Sequence, residues 1–186
     1  MRSTIKLSII AVMTATCVAS NYLLIGVVNV KVMDLIVFAC GLSFGAVIGA
    51  MVGALTWLVY GTINPYGFSL PILAATCLLE TIYGLTGAGM RKLGFAKQEK
   101  SKKHFISESL KFAIIGFLLT AVYDLATNLV SALSLGLPIL TVMLTGIPFA
   151  IIHEASNAAF FFVGALPLQH VLRRILVPKS DQANQK

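Results

Sequence analysis

Apolar residues fill five runs along the chain, about 5–28, 33–61, 69–90, 109–135 and 138–172. Polar or turn-forming residues separate them at Asn29-Val30-Lys31, Gly61 to Ser69, residues 91–108, Gly136-Leu137-Pro138 and the tail 173–186. A membrane-crossing helix needs about 20 predominantly apolar residues. The runs therefore predict an all-α integral membrane protein built as one membrane domain over 1–186.

The charges decide how many helices the five runs hold. Of 14 Lys and Arg residues, Arg2 and Lys6 lie near the start, and Arg173, Arg174, Lys179 and Lys186 lie in the tail. Seven more (Arg91, Lys92, Lys97, Lys100, Lys102, Lys103 and Lys111) lie in or beside the central loop, and Lys31 alone stands elsewhere. Cytoplasmic loops collect Lys and Arg, so all three groups belong on the cytoplasmic side. That needs an even number of spans before residue 91 and an even number after it, and run 33–61 must hold two helices.

Six helices follow, at about 5–28, 33–44, 46–61, 69–90, 109–135 and 138–172, in one compact bundle with both termini cytoplasmic. A single helix over 33–61 would be about 43 Å long, against a hydrocarbon core of about 30 Å. Two full spans would need nearer forty residues. The pair is therefore short, with a turn near Leu42–Ala46. Gly41, Gly45, Gly49 and Gly53 recur every four residues there, which lets neighbouring backbones approach closely. One long tilted helix is the alternative, and it would place the basic loop outside.

Composition agrees: 58% of the 186 residues are hydrophobic, 11% are charged and the mean hydropathy is +0.90. The net charge of +7 lies between apolar runs rather than along one face, so it reports orientation and not a nucleic-acid partner. Cys17, Cys40 and Cys77 sit inside apolar runs without CxxC spacing and read as small buried residues, not as metal or redox ligands. The opening residues resemble a signal peptide, but the apolar stretch continues to Val28, which is span length. Trp57, Tyr60, Tyr66, Tyr22 and Asn64-Pro65 map to the outer interface, as an aromatic belt or as a ligand lid.

Three carboxylates, Glu80, Asp124 and Glu154, lie inside apolar runs, where each costs about 2.5–3.5 kcal/mol on insertion scales. Thr76, Glu80 and Tyr83 share a face of the fourth helix, Asp124 and Asn128 a face of the fifth, and His153 and Asn157 a face of the sixth, with Glu154 one position round. Either these groups lock helices four to six together, or they line a pocket for a small polar ligand. Three acids with one His at that depth are hard to pair internally, which favours the pocket. No GxSxG, HExxH or Walker A sequence is present, so neither a catalytic constellation nor an ATP-driven step belongs to this chain. No metal and no cofactor are expected.

Together these features resemble the substrate-binding S components of energy-coupling factor (ECF-type) vitamin transporters. The likeness is carried by Ala11, Ala15 and Ala19 at spacing four in the first helix and by the stretch Phe38 to Ala50 in the second and third. Tyr123-Asp124-Leu125-Ala126-Thr127-Asn128 and His153-Glu154-Ala155-Ser156-Asn157 carry it in the last two.

The resemblance implies a multi-pass plasma-membrane subunit that captures a vitamin. The alanine face would dock on a transmembrane T component coupled to two cytoplasmic ATPase subunits. The ligand would sit in the outer half, capped by loops 29–33 and 61–69, against Asn64, Tyr66, Glu80, Tyr83, Asp124, Asn128, His153, Glu154 and Asn157. The chain lacks the Met-His start of the metal-specific branch, which points away from nickel or cobalt. An acidic pocket favours a ligand with a basic nitrogen, such as a pyrimidine or pyridine vitamin. The competing classes are an intramembrane enzyme acting on a lipid and a standalone ion-driven transporter. The alanine stripe has its own alternative, packing inside the bundle.

Overall fold

The computed structural model describes residues 2–65, 67–95 and 102–176, with the side chains of residues 102–104 and 176 left aside. Six helices run in order: α1 (Ser3–Leu23), α2 (Met33–Phe44), α3 (Ala46–Ile63), α4 (Leu70–Lys92), α5 (Lys102–Leu135) and α6 (Ile139–Leu176). Five are long and apolar enough to cross a membrane, and α2 is the shorter apolar one. The six-helix expectation holds.

Run 33–61 divides at Gly45, whose φ of 100° is open to glycine and strained for other residues. Its 12 residues make α2 about 18 Å long, too short to cross a bilayer. Every residue from Met33 to Ser43 is buried, because α2 is wrapped by α1, α3, α4 and α6. Glycines make that wrapping possible. A Cβ on Gly41 would collide with the Gly84 carbonyl, one on Gly84 with the backbone of Gly49, and one on Gly87 with the Phe38 carbonyl. Helices α2, α3 and α4 thus meet backbone to backbone, the geometry that small residues permit in membranes.

The helix ends depart from the apolar runs in two places. Helix α1 stops at Leu23 although the apolar run continues to Val28, and Leu24 to Val28 form turns. Helix α5 begins at Lys102, ahead of the apolar run at 109. Hydropathy marks where lipid begins, whereas a helix continues into water wherever its backbone bonds are made. The Lys111 ammonium reaches Glu108 at 2.7 Å in this polar stretch.

Helices α5 and α6 form a hairpin turned at Gly136 (φ 64°). At 34 and 38 residues they span about 51 and 57 Å, so both overrun the hydrocarbon core. Arg91 at the end of α4 donates to the Ser43 carbonyl at 3.1 Å and lies near Arg173 of α6, which places the basic ends together. On α1 the buried positions are Ile9, Met13, Cys17 and Asn21, spaced by four, with Thr14 beside them. Ala11, Ala15 and Ala19 are exposed.

Candidate functional site

At the end of the bundle opposite Arg91 and Arg173, a cavity of about 880 Å³ opens between the helices. Its walls come from the end of α1 and the loop after it, the end of α3, the start of α4 and the facing parts of α5 and α6. Asn29 Nδ2 donates to the Phe149 carbonyl at 2.9 Å, and the Tyr22 hydroxyl to the Ile63 carbonyl at 2.9 Å, tying loop and helix ends together around the mouth. By the distribution of Lys and Arg, this is the outer side.

The aromatic wall is built on one face of α3. Gly49, Gly53, Thr56 and Tyr60 are among its buried positions, and Trp57 shares their side. Trp57 therefore turns into the protein rather than out to a lipid interface. Its indole N–H donates to Glu80 Oε2 at 3.1 Å, and its ring stacks with Tyr123 at 6.3 Å between centroids, 25° from parallel. The Lys31 ammonium lies 4.8 Å from the Trp57 ring centroid and 5.6 Å from that of Tyr123. At such distances a ring face attracts a cation.

Below the cavity lies a buried polar network. His153 is fully buried, with Nδ1 at 2.9 and 3.1 Å from the two Asp124 oxygens and Nε2 at 2.8 Å from Asp34 Oδ2. A doubly protonated imidazole satisfies both sides at once. Asn157 Nδ2 donates to Asp34 Oδ2 at 2.6 Å and to Thr120 Oγ1 at 2.7 Å, and the Tyr83 hydroxyl donates to Thr120 at 2.9 Å. The bonds join α2, α4, α5 and α6 at one level. Asp34 and Asp124 take opposite sides of the imidazole, so their carboxylates do not converge. Among the described residues no group of His, Cys, Asp or Glu is placed to hold a metal ion.

The sequence-derived site residues divide into four groups. Asn64, Asp124 and Asn128 line the cavity. Glu80, Tyr83, His153 and Asn157 are buried in or beside the network and do not line it. Glu154, one position round from His153, is half-buried and outside the lining. Tyr66 lies outside the described residues.

Two residues stand in the site without having been named for it, Asp34 and Lys31, and a third, Trp57, was read only as part of an aromatic belt or a ligand lid. Asp34 is the second residue of its run, where a carboxylate reads as interfacial. It lies deep because α2 is too short to begin at the interface. The length of run 33–61 contained that signal. Lys31 was the one cation outside the three basic groups, an exception that marks a residue kept for another purpose. Trp57 was legible from its spacing to Gly53 and Tyr60.

A cavity at the outer end of an intramembrane bundle, walled by aromatic rings over a charged floor, defines a membrane-embedded binding protein. The chain belongs to the family of the ECF-type riboflavin transporter, S component, whose family model matches residues 1–174. No curated protein sequence and no solved structure gives a match. The protein is accordingly a multi-pass plasma-membrane component of vitamin uptake, the substrate-binding subunit of an ECF transporter and not an enzyme.

Proposed function

We propose that this chain captures riboflavin at the outer face of the membrane and delivers it to a T component driven by two ATPase subunits. The observation that carries this reading is the cavity wall. Trp57, Tyr60 and Tyr123 offer flat apolar faces suited to a tricyclic flavin ring, in a chain of the riboflavin family. Around them stand groups suited to the ribityl hydroxyls and the ring imide: Asn64, Thr76, Asp124 and Asn128.

Riboflavin replaces the basic-nitrogen vitamin that an acidic pocket suggested. That expectation rested on three acids facing one His. His153 bridges Asp34 and Asp124, and Trp57 donates to Glu80, so these carboxylates have partners within the protein and a neutral ligand suffices. Ala11, Ala15 and Ala19, exposed on α1, are the proposed seat of the T component.

Trp57 is the single tryptophan of the chain, so its fluorescence reports the site directly. Titrating purified protein with riboflavin should quench that emission with half-saturation at or below micromolar concentration. Trp57→Ala, followed by flavin fluorescence instead, should weaken binding about 30-fold, roughly 2 kcal/mol, as expected for a buried aromatic anchor. Absence of riboflavin binding, with another water-soluble vitamin bound, would remove the assignment.

Glu154→Gln provides a second check. Because Glu154 does not line the cavity, riboflavin affinity should stay within about 2-fold of wild type, the usual reach of a substitution away from the site. A loss of affinity measured by the same titration would return Glu154 to the binding residues.

A further inference from the structure

Three residues of the polar network stand in series beneath the cavity, and only the uppermost reaches it. Asp124 lines the cavity wall, His153 touches Asp124 and Asp34 but not the cavity, and Asp34 lies below on α2. We infer that His153, anchored by Asp34, is a positioning residue that sets the Asp124 carboxylate to accept hydrogen bonds from a ligand N–H or O–H. The inference rests on the riboflavin reading above and adds to it a division of labour. Asp124 touches the ligand, and the other two act through it.

The geometry supports each step. Both Asp124 oxygens lie within reach of the one Nδ1, at 2.9 and 3.1 Å, so the carboxylate is held from a single side and its outer lone pairs remain for the cavity. The imidazole cannot swing, because Nε2 is held by Asp34 Oδ2 at 2.8 Å and the ring is fully buried. Asp34 is itself fixed, since Asn157 donates to the same oxygen at 2.6 Å and α2 is buried throughout. Asp34 also stands in the first turn of α2, where the helix dipole favours a negative charge. A lone carboxylate at this depth would turn toward whatever donor it met. A carboxylate fixed by a hydrogen-bonded partner is preorganised, and preorganisation raises affinity by removing ordering costs from the binding step.

The alternative is that the triad only holds α2, α5 and α6 together. The two roles separate when both lower partners are replaced by apolar residues, because removing the buried pair together leaves only Asp124 without its partner, and Asp124 stands at the cavity wall where water can hydrate it. Asp34→Ala combined with His153→Leu keeps the combined side-chain size close to native, and Asn157 retains Thr120. Full-length protein in detergent is titrated with riboflavin, and its Tm is recorded in parallel.

The double variant should keep its Tm within a few degrees and bind about 10-fold more weakly. Asp124→Asn should cost a similar factor, and the triple variant should bind no more weakly than Asp124→Asn alone, since residues acting through one another are not additive. Wild-type affinity in a folded double variant would overturn the inference while leaving the riboflavin reading intact. Failure of the wild-type chain itself to bind riboflavin would overturn both. Should the double variant not fold, Asp34→Asn decides. It should weaken binding about 3-fold in the wild-type background and leave Asp124→Asn unchanged. An equal effect in both backgrounds would show that Asp34 does not act through Asp124.

Discussion

Gly84→Val should abolish the folded protein. Position 84 of α4 faces Gly49 of α3, and an added Cβ would fall on the Gly49 backbone, within collision distance of its carbonyl carbon. Overpacking a core commonly costs about 1–3 kcal/mol, and more where side chains cannot move aside. Here the obstacle is backbone on both sides, since Gly41 also lies against Gly84. A rotamer change offers no relief, so α3 and α4 must separate.

Separation would expose α2, which has no length to span on its own, and would pull Glu80 away from the Trp57 indole. We expect destabilisation of at least about 3 kcal/mol, seen as loss of monodisperse protein after detergent extraction. Gly89→Val is the control on the same helix. Nothing lies within 4 Å of a Cβ there, so yield and Tm should stay near wild type. Equal behaviour of the two variants would show that the glycine contact does not hold the bundle together.

Ala15→Trp should abolish vitamin uptake in cells while riboflavin binding to the purified subunit stays within about 2-fold of wild type. Ala15 is exposed on α1, opposite the row Ile9, Met13, Cys17 and Asn21 that packs into the protein. A large ring there enters neither the core nor the cavity. It would, however, hold off any helix that approaches the alanine stripe closely. Co-purification with the T component and ATPases should fall together with uptake. Loss of binding or expression with the partner still attached would show that the stripe packs inside the protein. Unchanged uptake would leave the stripe facing lipid, with docking elsewhere.

Chain properties that depend only on solvent preference were legible in the residues. The six helices followed from hydropathy and the placement of Lys and Arg, because lipid and the membrane's electrical asymmetry act on local composition. The division of run 33–61 followed from its length, and Gly45 supplied the turn. Intramembrane Glu80, Asp124 and His153 were visible because polar groups are costly there wherever the helices pack.

Depth and facing were another matter. Asp34 reads as a boundary residue until the burial of α2 carries it to the centre of the bundle, beside His153 from a helix more than a hundred residues away in sequence. Glu154 reads as equivalent to Glu80 until packing buries Glu80 against Trp57 and leaves Glu154 half-buried outside the cavity lining. Trp57 reads as belt or lid, and Lys31 as the one cation outside the basic groups, until α3 and the loop before α2 bring them onto Tyr123. Each case turns on which face of a helix meets which neighbour, and in lipid that is settled by close packing of small residues rather than by a difference in hydrophobicity between faces. Sequence by itself therefore determined the solvent, the helices and the stock of polar groups. Tertiary structure decided which of those groups share a site, because only packing brings distant helices to a common depth and facing.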